Sequence, residues 1–169
     1  IQAAAIEPVA RRDVTLTTGA LEPVVREAVE LVRPHVEGEG FSFRIDLDGG
    51  LPPVRFERDA LLQVLFNLVD NAVKYARGGL DRRIALQATR DGERVVVAVR
   101  DHGPGVDKRQ LDEIFEPFYR GENELTRTAK GTGLGLALVQ GLVERMGATV
   151  TSRNADDDVA AIKDWSKAE

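Results

Sequence analysis

No cysteine occurs in the 169-residue chain, which removes disulfides, thiolate metal sites and a cysteine nucleophile from consideration. No apolar run approaches the roughly 20 residues that cross a bilayer, and the N-terminus lacks a signal-peptide pattern. Basic residues are outnumbered: 23 Lys and Arg against 28 Asp and Glu give a net charge of -5. That balance argues against a general nucleic-acid or anionic-membrane binder. Internal repeats and low-complexity tracts are also missing. What remains, 43% apolar and 30% charged, is the composition of an ordinary soluble globular protein, at a length suited to one domain with a sizeable core. A soluble, cytoplasmic segment is expected, and the start at Ile1 without a methionine reads as a piece of something longer.

Hydrophobic spacing sets out the elements. Residues 1–13 have no clear period and read as a linker or the end of an upstream helix. Val14-Thr15-Leu16 is a short strand candidate. Pro23 suits a first helical turn, and Val24, Ala28, Leu31 and Val32 recur at helical spacing to about Val36. Phe41, Phe43, Ile45 and Leu47 alternate with polar residues, as in a half-buried strand. After Pro52-Pro53 a helix is expected from Arg58 to Ala76, then a hairpin of Arg83–Thr89 and Arg94–Arg100 about a turn at Asp91-Gly92. A short helix near Lys108–Ile114, an irregular lid to Lys130, a helix from Gly133 to Met146 and a strand from Ala148 to Arg153 complete the series. Helices interleaved with a mixed sheet imply an α/β two-layer sandwich.

Three stretches carry chemistry. In the 58–76 helix, Leu61, Leu62, Val64, Leu65, Leu68, Val69, Ala72 and Val73 cover most of the circumference, yet Asn67, Asp70, Asn71 and Lys74 share one face. Unpaired buried polar groups cost roughly 1–3 kcal/mol each, so such a stripe needs partners. It is either a solvated seam closed by an Asp70–Lys74 pair, or a set of hard oxygen ligands for Mg2+ with a cation for phosphate. The apolar run Val95–Val99 leads into Asp101-His102-Gly103-Pro104-Gly105, where a carboxylate beside glycines could accept a hydrogen bond from a base amino group. Taken alone, that stretch reads as an ordinary Gly-Pro turn. Gly131-Thr132-Gly133-Leu134-Gly135-Leu136 opens a helix whose free N–H groups favour phosphate. It is neither a P-loop, since no Gly-Lys-Ser/Thr follows, nor a dinucleotide fingerprint, since no strand precedes it.

With Ile114-Phe115-Glu116-Pro117-Phe118-Tyr119-Arg120 between the second and third, the four stretches closely resemble, in order, the N, G1, F and G2 boxes of the catalytic and ATP-binding domain of bacterial two-component sensor histidine kinases. That domain belongs to the group shared with gyrase, Hsp90, MutL and anti-sigma serine kinases. The resemblance covers roughly Val14 to Asn154 and implies a Bergerat-type (GHKL-like) fold, a mixed sheet covered by helices on one face. It implies ATP and Mg2+ as ligands: Asn71 coordinating the metal with Asn67 close by, Lys74 on phosphate, Tyr75 on the nucleoside and Asp101 on the adenine amino group. Gly103 and Gly105 would shape the base end. Lys130, Gly131, Thr132, Gly133, Leu134 and Gly135 would close over the triphosphate, with Arg120 reaching the γ-phosphate. Phe115 and Phe118 would pack the lid onto the core. The implied catalytic set is Asn67, Asn71, Lys74 and Arg120.

The chain departs from the family in two places. The acceptor histidine sits in an upstream helical-hairpin domain, and neither His35 nor His102 stands in that context. His35 reads as a surface residue near a helix end; His102 lies inside the G1-like turn. At the C-terminus, Asp156-Asp157-Asp158 replaces a Gly-rich turn, and Val159, Ile162 and Trp165 are spaced more like a helix face than a strand. The expected organisation is therefore 1–13 linker, 14–154 ATP-binding domain, and 155–169 a tail of open structure. The resemblance implies phosphoryl transfer to a histidine on a separate dimerisation domain, a response regulator downstream, and a membrane-anchored parent with this domain in the cytoplasm. The alternatives are an anti-sigma-type serine kinase and an ATPase of the same group. Hydrolysing relatives carry a Glu where Asn67 stands, and Asn cannot act as a general base.

Overall fold

The computed structural model describes residues 15–103, 135–154 and 158–165, by backbone alone from residue 153 onward. Among the described residues, seven strands and three helices follow one another as β1 (Thr17–Gly19), α1 (Glu22–Gly38), β2 (Ser42–Leu47), β3 (Val54–Phe56), α2 (Arg58–Ala76), β4 (Arg83–Asp91), β5 (Arg94–Asp101), α3 (Gly135–Arg145), β6 (Thr149–Asn154) and β7 (Asp158–Trp165). The helix near 108–114 and the lid to Lys130 expected from the sequence lie outside the described residues.

Local sequence explains most of these elements. Pro23 sits in the first turn of α1, where its missing N–H costs nothing, and Val24, Val25, Ala28, Val29, Val32 and Val36 form a buried stripe below it. Gly40, at a φ of 87°, then reverses the chain so that Phe41 can enter the core. α2 spans the expected Arg58–Ala76 and buries Ala60, Leu61, Val64, Leu65, Leu68, Val69, Ala72, Val73 and Ala76. These residues are buried on several sides because α2 packs against α1, α3 and the strands β4 and β5, while Phe66 stays exposed. In β4 and β5, Ile84, Leu86, Ala88, Val95, Val97 and Val99 alternate into the core. Their hairpin pairs Asp91 with Arg94, which puts the turn at Gly92-Glu93, one residue beyond the expected place, with Gly92 at a φ of 62°.

The main sheet has the order β2-β4-β5-β7-β6. Among the described strands only the β2–β4 pair is parallel, so the sheet is mixed, and the helices α1, α2 and α3 contact it as the second layer. A separate ribbon pairs β1 with β3. β3 was not expected from the sequence: with three residues after Pro53 it is too short for an alternating pattern to register, yet Val54 and Phe56 are both buried.

The structure decides the C-terminal segment that the sequence left open between strand and helix. Residues 158–165 are a strand, not a helix face, and that strand lies inside the sheet between β5 and β6. The helix-like spacing has a physical cause. Ile162 is opposite Val97 and Trp165 is opposite Val95, so three steps along β7 match two along β5, and a bulge absorbs the difference. The bulge keeps both residues opposite buried valines of β5 despite their three-residue spacing.

Candidate functional site

The polar stripe of α2 is part-buried and runs between two features that both follow it in the chain, the start of α3 and the turn after β5. Asn67 and Asn71 are part-buried, and the start of α3 stands over them. A Cβ on Gly135 would lie 3.6 Å from Asn71 Nδ2 and 4.0 Å from Asn67 Cγ. A helix start has N–H groups without intrahelical partners and the positive end of the helix dipole. Two carboxamides and a helix N-terminus therefore meet at one end of the stripe.

The other end is closed by the turn after β5. Asp101 is the one buried charged residue among the described residues, 6% exposed. Its Oδ1 accepts a hydrogen bond from the Gly103 N–H at 2.8 Å. Gly103 is pressed on the last turn of α2, where a Cβ would meet Tyr75 O at 2.7 Å, Asp101 Oδ1 at 2.9 Å and Ala76 Cα at 3.0 Å. From the opposite side, the loop after α2 confines the same turn: a Cβ on Gly79 would lie 3.1 Å from His102 O and 3.5 Å from Gly103 Cα. No side chain fits between these backbones. The turn is thereby fixed beside Tyr75 with its carboxylate buried.

Between the two ends, Lys74 Nζ forms an ion pair with Asp70 Oδ2 at 2.8 Å, the seam pair anticipated as one reading of the stripe. Asp70 Oδ1 is 2.9 Å from His35 Nε2, so Asp70 bridges α2 to α1. The surface role expected for His35 is thus incomplete; the imidazole is half-buried, engaged with Asp70 and stacked against Phe66. His102, left open by the sequence, places Nδ1 3.6 Å from Asp81 Oδ2. The Arg83 side chain, hydrogen-bonded to Asp81, lowers that carboxyl to about 2; His102 and the Arg83 charge act in the same direction against partial desolvation. His35 and Asp81 were missed from the sequence because their partners lie far along the chain or in a loop with no pattern of its own.

The structure therefore brings together Asn67, Asn71 and Gly135 at one end, Tyr75, Asp101 and Gly103 at the other, and Lys74 between them. Gly105, Arg120, Lys130, Gly131, Thr132, Gly133 and Leu134 lie outside the described residues. Among the described residues no cluster of three or more His, Cys, Asp or Glu could hold a metal, and no helix is long and apolar enough to cross a membrane.

Known proteins resemble this chain in sequence and fold. The family model described as histidine kinase-, DNA gyrase B-, and HSP90-like ATPase matches residues 56–162. The chain is 37% identical over 125 residues to the non-motile and phage-resistance protein of Caulobacter vibrioides, a match covering 73% of this chain and 15% of that protein. It is 30% identical over 161 residues to the sensor histidine kinase ZraS of Salmonella typhimurium, covering 95% and 33% respectively. The chain thus spans a third or less of the length of these curated relatives. In three dimensions it resembles the nucleotide-free catalytic domain of histidine kinase ThkA, with a TM-score of 0.74, 26% identity, and 91% of this chain and 99% of that one covered. It also resembles full-length ShkA in complex with AMPPNP, with a TM-score of 0.77, 27% identity, and 99% and 35% covered. The chain belongs to the histidine kinase-, DNA gyrase B- and HSP90-like ATPase family, as a catalytic domain of the sensor histidine kinase type.

Proposed function

We propose that this domain binds Mg2+·ATP along the polar stripe of α2 and donates the γ-phosphate to a histidine on a separate helical-hairpin domain. The observation that carries the reading is the meeting of Gly135 with Asn71 and Asn67, because it joins a helix N-terminus to oxygen donors in one place. The buried carboxylate of Asp101 at the other end supplies an acceptor suited to an adenine amino group. Support from a relative comes from ShkA, which was solved with AMPPNP. Histidine kinase ThkA has been solved in complex with a response regulator protein, which supports such a regulator as the downstream partner. By the same reading the longer protein is a membrane-anchored sensor whose catalytic domain works on the cytoplasmic side.

The residues fit Mg2+. Carboxamide oxygens are hard donors, and the metal takes few protein ligands when phosphates supply others. Asn71 would hold it with Asn67 beside it, and its chemistry there is neutralisation of phosphate charge. The chain's own residues bind and orient. Lys74, with Arg120 from outside the described residues, would offset the remaining phosphate charge, and Asp101 with Tyr75 would set the nucleoside. Phosphoryl transfer needs mainly such positioning. Asn67 offers no general base to activate water, which favours a kinase over a hydrolase.

Two measurements test this together. Asn71→Ala should weaken Mg2+·ATP far more than metal-free ADP by calorimetry; equal weakening would refute the metal role. The chain alone should neither label itself from radioactive ATP nor release phosphate steadily. It should give acid-labile, base-stable label on a supplied acceptor domain. Robust phosphate release by the chain alone, abolished by Asn71→Ala, would replace the kinase reading with an ATPase.

A further inference from the structure

His35 precedes Asp70 by 35 positions, yet its Nε2 stands 2.9 Å from Asp70 Oδ1. The second carboxylate oxygen, Oδ2, is 2.8 Å from Lys74 Nζ. A carboxylate can only accept, so Nε2 carries its hydrogen and donates. Each oxygen of Asp70 is therefore taken by a separate donor, one from α1 and one from the next turn of α2. An exposed lysine–aspartate pair one helical turn apart is ordinarily weak and free to exchange with water. This one differs in two respects. The Asp70 and Lys74 side chains are only 20% and 24% exposed. The imidazole that holds the far oxygen is itself steadied by stacking on Phe66, with ring centroids 6.2 Å apart and planes at 27°.

We propose that His35 and Asp70 are positioning residues for Lys74. They fix the ammonium beside Asn71, pre-setting the direction from which it meets the phosphates of the nucleotide. An ammonium carries several N–H donors, so the bond to Asp70 orients the group without using it up. The coupling makes α1, which carries none of the four sequence boxes, part of the phosphate-binding apparatus. The inference rests on the reading of Lys74 as a phosphate-binding residue and extends it.

A double-mutant cycle tests both levels separately. His35→Phe keeps a ring on Phe66 but has no Nε2 donor, whereas His35→Gln places an amide N–H near the same point. Binding of Mg2+·ATP and of adenosine is measured by calorimetry and competition in the wild type, His35→Phe, His35→Gln, Lys74→Met and the His35→Phe/Lys74→Met double variant. His35→Phe should weaken ATP by roughly threefold to tenfold, a size usual for coupled neighbours, and leave adenosine unchanged. His35→Gln should restore ATP binding, and His35→Phe should have no further effect once Lys74 is Met. Should His35→Phe fold poorly, Asp70→Asn, which keeps the shape but weakens both contacts, should show the same ATP-only loss. An equal loss in the Lys74→Met background, an equal loss for adenosine, or no rescue by Gln would overturn the positioning role alone. Full ATP affinity in Lys74→Met would overturn the phosphate-binding reading and this inference with it.

Discussion

Replacing Gly103 by alanine adds a single methyl group at the most crowded backbone position described above. Its Cβ would stand 2.7 Å from Tyr75 O and 3.0 Å from Ala76 Cα, both backbone atoms of α2, and 2.9 Å from Asp101 Oδ1. Two of these atoms are backbone, and the third belongs to the buried Asp101 side chain bonded by the Gly103 N–H, so the turn itself must move. Overpacking of this kind costs about 1–3 kcal/mol. Moving the turn also weakens the Gly103 N–H bond to Asp101 Oδ1, which is worth about 1 kcal/mol. The sum is about 2–4 kcal/mol. At 169 residues each kcal/mol shifts the melting temperature by about 2–4 °C, so a fall of about 4–16 °C is expected. The displaced carboxylate should also weaken adenine-nucleotide binding. Gly141→Ala is the matched control: it lies inside α3 with nothing within 4 Å of the added methyl, and helix propensity should raise stability by about 0.5–1 kcal/mol. The same chemical change should thus move stability in opposite directions at the two sites. Calorimetric melting with and without nucleotide reads both effects. A Gly103→Ala protein that melts with the wild type and binds nucleotide equally well would refute the crowding argument.

Gly135→Ala should separate binding from folding. Its Cβ would make ordinary contact with Asn71 at 3.6 Å, so melting should change little, whereas Mg2+·nucleotide affinity should fall; unchanged affinity would exclude the helix start from the site. Asp81 should titrate near 2 by carboxyl NMR, below its ordinary 3.8, and Arg83→Ala should return it toward that value. Because the folded pKa is depressed, this carboxylate's contribution to stability is present above about pH 4 and lost as pH falls through about 2. Leu65→Ala, at a fully buried position of α2, should lower stability by about 2–5 kcal/mol in denaturant titration; a loss under 1 kcal/mol would mean that α2 is not the central core helix.

Much of this molecule was legible because the determining signals are local. Nine buried residues of α2 recur at helical spacing, which is why its bounds were recovered at both ends. Two apolar-rich runs on either side of a turn signal gave β4 and β5, and Gly92, needed at a positive φ, marked the hairpin within one residue. The glycines at 103 and 135 and the asparagines at 67 and 71 could be singled out because each is an unusual residue type for its place: a polar stripe on an otherwise apolar helix, and small residues at an element's edge.

The tertiary structure decided what depends on distant partners. Sequence spacing left Ile162 and Trp165 open between helix and strand, but pairing with β5 and β6 imposes a strand and a bulge reconciles the spacing with the register. β3 is recognisable only through its pairing with β1, because three residues are too few to show a period. His35 looked like a surface residue since nothing near it in sequence needs an imidazole; its partner Asp70 arrives from another helix. The sequence alone determined which faces must be buried and which residues could hold a nucleotide, since both follow from side-chain type and period. Only the packing of α1, α2 and α3 determined that Asn67, Asn71 and Gly135 meet at one end and Asp101 and Gly103 close the other, because such contacts arise from burying several apolar faces at once and leave no mark in local spacing.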